Sequence, residues 1–573
     1  MTAQATSTDS EEEKPNAARS SAIMAAGTLV SRGLGFVKTI LLSIALGAAT
    51  GVADIFDIAN QIPNIIYLAV AGGIFNAVLV PQIIRASKQH DRGTDYVSRL
   101  LTLMVLVMVL LALVITLSAG WIIPLLTTDF SQAQLTLAIT FGLWCLPQIF
   151  FYGLYAVLGQ ILNSYGSFGP YMWAPVLNNV VAIGGLLLFI AMMGAQQMQD
   201  GRAVAHTVEN WSTTQTILVA GTATLGIAVQ ALVLAWPVKR LRLGLKPRFG
   251  WRGIGLGRAA KIAVWTLGTM IVGNGAFLIY TKIGTIATGA RDSVEGAIAG
   301  PYSLTVATQV YLLPHSIVVL SVATVLFNRM SHAASSNDDD AMRHILSRGL
   351  RTVGVATVFG AVALLVLAGP LGMLFSGGRA PAGALVGIVL SFLALGLPFF
   401  SANFMMNRVF YSLEDARTPF VIQMILTAIG ITLAVCAAFF PPQWVIFALA
   451  VSYTLGSMSG VIVSHQFLKR RLGNYDGGHI IDSHIRMACA ALVSGAAGVL
   501  VLWVCGGYDP NGFAWGGGVG RYMSILSAIA VLAVAGTVMA VVYLLLLKLF
   551  RVHELKEFLQ PLLARLGRGG ASR

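Results

Sequence analysis

The chain has 573 residues, of which 56% are hydrophobic and only 10% charged, and its mean hydropathy is +0.78; these values exclude an ordinary soluble domain. A net charge of +14 invites a nucleic-acid reading, but the basic residues gather at the ends of apolar stretches, eight of them between Lys239 and Lys261. Anionic headgroups and insertion topology account for that placement, so membrane lipids are the expected partners and nucleic acid is not.

In chain order, residues 1–20 are polar and acidic, which predicts a disordered cytoplasmic tail without a cleavable signal peptide. A helix needs about 20 residues to cross the hydrocarbon core. On that measure about fourteen spans follow, at 21–48, 54–85, 100–126, 135–164, 170–194, 214–238, 258–283, 302–329, 350–376, 383–412, 419–440, 443–468, 485–506 and 522–550. Runs such as LLTLMVLVMVLLALVITL lack the alternation of a membrane barrel strand. The expected fold class is an all-α polytopic membrane protein.

The connections alternate in charge. Odd-numbered loops hold Arg202, Lys282, Arg291, Arg379 and Arg521, the first span holds Arg32 and Lys38, and the remaining 30 of 37 Lys and Arg lie in even-numbered loops and the tails. This asymmetry places both ends in the cytoplasm, with the loops around Lys246, Arg343 and Lys469 inside and those around Arg202, Arg291 and Asp509 outside. Cys145, Cys436, Cys489 and Cys505 have no CxxC spacing and read as free, apolar residues, not as a disulfide or metal site.

Two internal likenesses suggest a repeat. Val78–Ser87 aligns with Val325–Ala334 at an offset of 247, and Tyr165–Pro170 with Glu414–Pro419 at an offset of 249. Offsets this similar predict two six-helix lobes in parallel orientation, 21–238 and 239–468, the latter including a basic loop. Two further helices, 469–550, and a cytoplasmic tail, 551–573, follow.

Catalytic motifs are absent: there is no Walker A, HExxH or GxSxG sequence, and no enzyme activity or cofactor is expected. Gly253–Gly257 reads as a surface turn, and His479, Asp482 and His484 as part of a solvated loop. The polar residues inside spans are more telling, because a cation near the bilayer centre costs about 2.5–3.5 kcal/mol on insertion scales. Arg32 is too deep to escape to either surface and should face a hydrated cavity, and Lys38 either joins it or snorkels. Gly33 and Gly35 would let that helix bend or another backbone approach. Asp57, Asn60, Gln61 and Asn64 share one face of the second span, where Pro63 predicts a kink. Asp54 and Asp57 are gate candidates, Asp54 closing over or pairing with a first-helix cation. Asn178, Asn179, Asn274, Gln309, Tyr311 and His315 are candidates for the same cavity.

The segment Ser31-Arg32-Gly33-Leu34-Gly35-Phe36-Val37-Lys38, with Gly47, Asp54, Pro63-Asn64, Phe75 and Pro81, resembles the opening of the MurJ/MviN family. Arg408 through Pro419 resembles that family's turn between helices ten and eleven, and Asn163, Pro175 and Asn178 suit its helix four to five region. Members are lipid II flippases of the multidrug/oligosaccharidyl-lipid/polysaccharide exporter superfamily. The resemblance implies two lobes around a cationic cavity, Arg32 and Lys38 meeting a pyrophosphate, Asp54 in the outer gate, and a groove for an isoprenoid tail between the last two helices. It also shows departures. Tyr67 and Gln309 stand where the family has arginines, and Gly72 where it has a glutamate.

The reading that follows is a flippase for lipid II, an undecaprenyl-pyrophosphate-linked saccharide, in a bacterial cytoplasmic membrane. Arg32, Lys38, Asn64, Asn178, Asn274 and Gln309 would bind substrate and Asp54 and Asp57 would gate. Division or cell-wall synthesis proteins are further partners. Two rivals stand beside it. A cation-coupled drug or polysaccharide exporter would need a deep acid, whereas the acids sit near an outer end. A degenerate flippase would serve as an envelope-assembly scaffold.

Overall fold

A computed structural model describes residues 9–74, 83, 86, 90–91, 93–199, 202–250, 256–509, 512–513 and 521–555. The expected repeat segment 78–87, apart from Ile83 and Ala86, and the run 253–255 lie outside them, as do Phe75 and Pro81. The helices are α1 (Asp9–Leu46), α2 (Gly51–Ile74), α3 (Thr94–Leu117), α4 (Ala119–Leu126), α5 (Gln132–Cys145), α6 (Gln148–Ser164) and α7 (Phe168–Met193). A short hairpin, β1 (Met198–Gln199) with β2 (Arg202–Ala203), precedes α8 (Thr213–Thr216), α9 (Thr222–Leu232) and α10 (Ala235–Arg240). The second half comprises α11 (Leu256–Gly289), α12 (Pro301–Pro314), α13 (Leu320–Ser335), α14 (Asp339–Val366), α15 (Ala368–Phe375), α16 (Ala380–Ala394), α17 (Leu397–Ser412), α18 (Arg417–Ala437) and α19 (Pro442–Leu472). The chain's last described helices are α20 (Gly477–Val504) and α21 (Arg521–Leu549).

Described helical residues fall within each expected span. By length and apolarity, however, the described residues give 11 membrane-crossing helices, or 12 when the pair α16–α17, bent by 45°, counts as one span. Outside that number, α2 carries Asp54, Asp57, Asn60, Gln61 and Asn64 along its length. Pro63 lies inside α2 without ending it. The bends occur elsewhere. Pro147 separates α5 from α6 and Pro398 opens α17, where a missing N–H interrupts the backbone ladder. Single π-turns break the expected sixth span at Ile217–Gly221 and the eighth at His315–Val319, directly after Pro314, a common source of kinks.

The apolar cores decide the architecture. At one end of the bundle, one core joins both halves: Leu46, Ile55, Ile62, Phe141 and Ile149 pack in the same cluster as Ile283, Val306, Leu390 and Ile446. At the other end the cores are separate. Val97, Leu100, Leu158, Ile161 and Leu234 form one; Met330, Leu346, Met405, Val409 and Leu468 form another. The first end is therefore sealed and the second split. The helices α20 and α21 pack on each other and on α14 and α15, with Tyr543 Oη donating to the Val355 carbonyl at 2.9 Å and Ser494 Oγ to that of Met539 at 2.7 Å.

Two connections depart from the sequence reading. The basic segment after α10 lies along α3, whose Thr94, Ser98 and Thr102 hydroxyls meet the backbone of Leu243, Lys246 and Arg248 in turn, with an Arg248–Asp95 ion pair at 2.5 Å. The spacing of four brings those hydroxyls onto one helical stripe. His479, Asp482 and His484 sit in α20, which begins eight residues before the expected span. Arg351 donates to His479 and pairs with Glu554 there, and Asp482 pairs with Arg486 at 2.8 Å. All four cysteines are free: Cys145 is buried, Cys436 and Cys489 exposed, and Cys505 half-buried.

Candidate functional site

The sealed end is closed by a buried ion pair that the sequence reading missed. Asp54, 0% exposed, accepts hydrogen bonds at Oδ2 from Arg291 Nη2 (2.7 Å), Arg291 Nε (3.0 Å) and Thr288 Oγ1 (3.0 Å). Its Oδ1 accepts from the Tyr302 backbone N–H at 3.0 Å. Arg291 also donates from Nη1 to the carbonyls of Ala49 and Ile298, both at 2.9 Å. Asp54 thus pairs across the two halves with a loop arginine, not with a first-helix cation. The signal was present: Arg291 is one of the few basic residues in an odd-numbered loop, where topology gives it no reason to be. Two N–H groups of one guanidinium converge on a single carboxylate oxygen in a charge-assisted contact. Gly300 makes room for it, since a Cβ there would lie 2.5 Å from Arg291 Nη2 and press on the Asp54 carboxylate.

Below this pair a polar seam continues between α1 and α12. Ser303 Oγ donates to the Ala48 carbonyl at 2.8 Å, Tyr302 Oη lies 3.1 Å from Ser43 Oγ, and Thr39 Oγ1 donates to Gln309 Oε1 at 2.9 Å. Farthest from the seal, Arg32 Nη1 donates to Ser316 Oγ at the π-turn. At 1.5 Å per residue Arg32 lies about 20 Å along α1 from its end at Leu46, so this bridge crosses between the halves well toward the split end.

The expected single cationic cavity is two cavities, and Arg32 lines neither. The larger, 360 Å³, is bounded by Asp57, Asn60, Gln61, Tyr280, Thr305, Gln309 and Tyr453 among others, and among the described residues no lysine, arginine or histidine lines it. Asp57 Oδ2 accepts from Gln61 Nε2 (2.5 Å) and from Thr305 Oγ1 of the other half (2.7 Å). The smaller, 110 Å³, lies within the first half and is lined by Lys38, Asn60, Tyr152 and Asn178. Six residues of α-helix turn through about 600°, so Arg32 and Lys38 cannot share a direction. Asp57, one turn from Asp54, is 8% exposed and borders the larger cavity.

Other candidates are placed differently. Asn64 is exposed and borders neither cavity. Asn274 turns its amide back to the Met270 carbonyl at 2.7 Å. Asn179 ties α7 to the Ser31 carbonyl at 2.8 Å. His315 is buried, 3.0 Å from Ser401 Oγ and against Phe400 and Phe404, and Tyr311 packs on Phe400. Tyr67 stacks on Tyr152 with centroids 5.8 Å apart. Gly33 and Gly35 have nothing within 4 Å of a modest added side chain, so no backbone approaches there. Among the described residues no group of three His, Cys, Asp or Glu could hold a metal.

A family model described as "Lipid II flippase MurJ" matches residues 42–515; Arg32 and Lys38 precede that match. A probable lipid II flippase MurJ of Rhizobium meliloti is 28% identical over 423 residues, 72% of this chain and 74% of that protein. The one from Haemophilus influenzae is 25% identical over 499 residues, 82% of this chain and 90% of that protein. The fold resembles a solved lipid II flippase MurJ in an inward closed conformation, with TM-score 0.64 and 19% identity over 90% of this chain and 98% of that one. It also resembles an inward-facing multidrug resistance MATE family transporter, with TM-score 0.61 and 16% identity over 78% of this chain and 95% of that one.

Proposed function

We propose, because this chain belongs to the lipid II flippase MurJ family, that it carries lipid II across the bacterial cytoplasmic membrane by alternating access between two lobes, residues 21–238 and 239–468. One observation carries the reading: both halves share a core and a buried ion pair at one end, while their cores are separate at the other. A transporter caught with its cargo path closed on one side has that form. Loop charge assigns the sealed end to the outside and the split end to the cytoplasm.

Arg32 is the residue we assign to the diphosphate. Its partner, Ser316, is a neutral hydroxyl, and a phosphate oxygen makes a stronger, charge-assisted bond to a guanidinium than a hydroxyl does. Headgroup entry would thus exchange the Arg32–Ser316 bridge for substrate and release one link between the halves. Lys38, turned into the first half, acts on the potential in the path and makes no direct contact. The isoprenoid tail would lie along α20 and α21. Opening the outer side then requires breaking Asp54–Arg291, and a potential of 100 mV supplies about 2.3 kcal/mol per charge moved fully across.

The test is complementation of a bacterial strain depleted of its own lipid II flippase. Growth supported by this chain at normal membrane abundance is the expected result; lysis despite abundant protein contradicts the assignment.

A further inference from the structure

We propose that the larger cavity is a binding site for one monovalent alkali cation, held by the Asp57 carboxylate. Asp57 is nine-tenths buried, and both groups that donate to it, the Gln61 amide and the Thr305 hydroxyl, are neutral. Among the described residues no Lys, Arg or His forms an ion pair with it. Arg291, the partner of the acid one turn away, is engaged by Asp54 and two carbonyls. A buried charge without a counter-charge is costly in low dielectric, and an intramembrane acid in that condition marks an ion site.

The chemistry of the walls fixes the class of ion. Hydroxyl and amide oxygens of Asn60, Thr281, Thr305 and Thr308 surround the carboxylate's cavity, and hard oxygen donors favour alkali and alkaline-earth ions over soft metals. Divalent ions are held by several carboxylates or by carboxylate and phosphate together, whereas this cavity has a single acid on its walls. One negative charge matches one monovalent cation. The volume of 360 Å³ is more than one bare ion fills, so the ion keeps part of its hydration.

The site is also placed to bias the conformation. Asp57 belongs to α2 and Thr305 to α12, on opposite sides of the seam, and Asp57 lies one turn below the Asp54–Arg291 pair. The oxygen set is assembled only while the outer end is shut, so a cation that binds it stabilises the sealed state and is released when the halves part. This inference holds whatever cargo is carried.

The experiment uses the purified full chain and radioactive sodium at fixed pH, with choline as the replacing cation. The wild type should bind sodium saturably, approaching one ion per chain. Asp57→Asn keeps the hydrogen bonds to Gln61 and Thr305 possible while removing the charge, and should weaken binding by roughly tenfold or more. In parallel, sodium should raise the thermal unfolding midpoint of the wild type and leave that of Asp57→Asn unchanged. A folded wild type with no saturable sodium binding overturns the proposal, as does Asp57→Asn that binds sodium as tightly as the wild type. Neither outcome depends on lipid II transport, which the complementation assay measures separately.

Discussion

Asp54→Asn is expected to leave the bundle folded and to open its outer end. The Asp54 side chain is 0% and the Arg291 side chain 11% exposed, so the substitution leaves a guanidinium in a largely dry site without its counter-charge. Removing one partner of a buried pair costs about 3–5 kcal/mol, more than two powers of ten in an equilibrium at about 1.4 kcal/mol per tenfold. That cost falls between the halves and not within either, so it is relieved by parting them. The readout is labelling of a cysteine at Ser303, which is 0% exposed behind the pair, by an impermeant thiol reagent applied to intact cells carrying a variant without the native cysteines. Labelling should be slow in the parent and fast with Asp54→Asn. Arg291→Ala should have the same effect, and the double variant should be little worse than either single one, as expected for two residues acting through one contact. Unchanged labelling together with full activity would reduce Asp54 to a packing residue.

The second large effect is expected at Arg32. Arg32→Ala should abolish support of growth without lowering the amount of protein in the membrane. Three features separate the two readouts. The Ser316 hydroxyl already donates to the Leu313 carbonyl at 3.0 Å, so losing Arg32 leaves no orphaned group there. The substitution removes a charge that costs about 2.5–3.5 kcal/mol to place in the membrane. The bond to a phosphate that it deletes is in the range of about 1.5–3 kcal/mol for hydrogen bonds to charged groups. Arg32→Lys should retain part of the function, because it keeps the charge and loses the fork. Normal growth from an abundant Arg32→Ala protein would remove Arg32 from substrate binding and favour a scaffold role.

The sequence disclosed what depends on runs of residues and obscured what depends on angles. Apolar runs with basic ends located the helices, because insertion acts on long segments and on the sum of their charges. The positions of π-turns after Pro314 and within Ile217–Gly221 were not legible, since a single extra residue in a turn leaves hydropathy unchanged. Arg32 and Asp54 were legible as expensive charges. Their partners were not, because Ser316 and Arg291 lie hundreds of residues away and meet them only through packing of α1 and α2 on the second half. Arg291 could have been singled out as an exception to the loop-charge rule. Asn274 shows the opposite error: a polar residue in an apolar helix can satisfy itself on the carbonyl four residues back, and periodicity does not distinguish this from a cavity wall. Lys38 and Arg32 were read as one cluster from their nearness in sequence, although helical rotation sends them to different places.

The most direct test of the central claim is translocation of lipid II by the purified chain in sealed proteoliposomes. Fluorescent lipid II placed in one leaflet should become accessible in the other only when the protein is present. The rate should fall to background with Arg32→Ala and with the Asp54–Arg291 pair replaced by a disulfide-locked seal. Translocation that matches protein-free vesicles, from protein shown to be folded and inserted, would contradict the account.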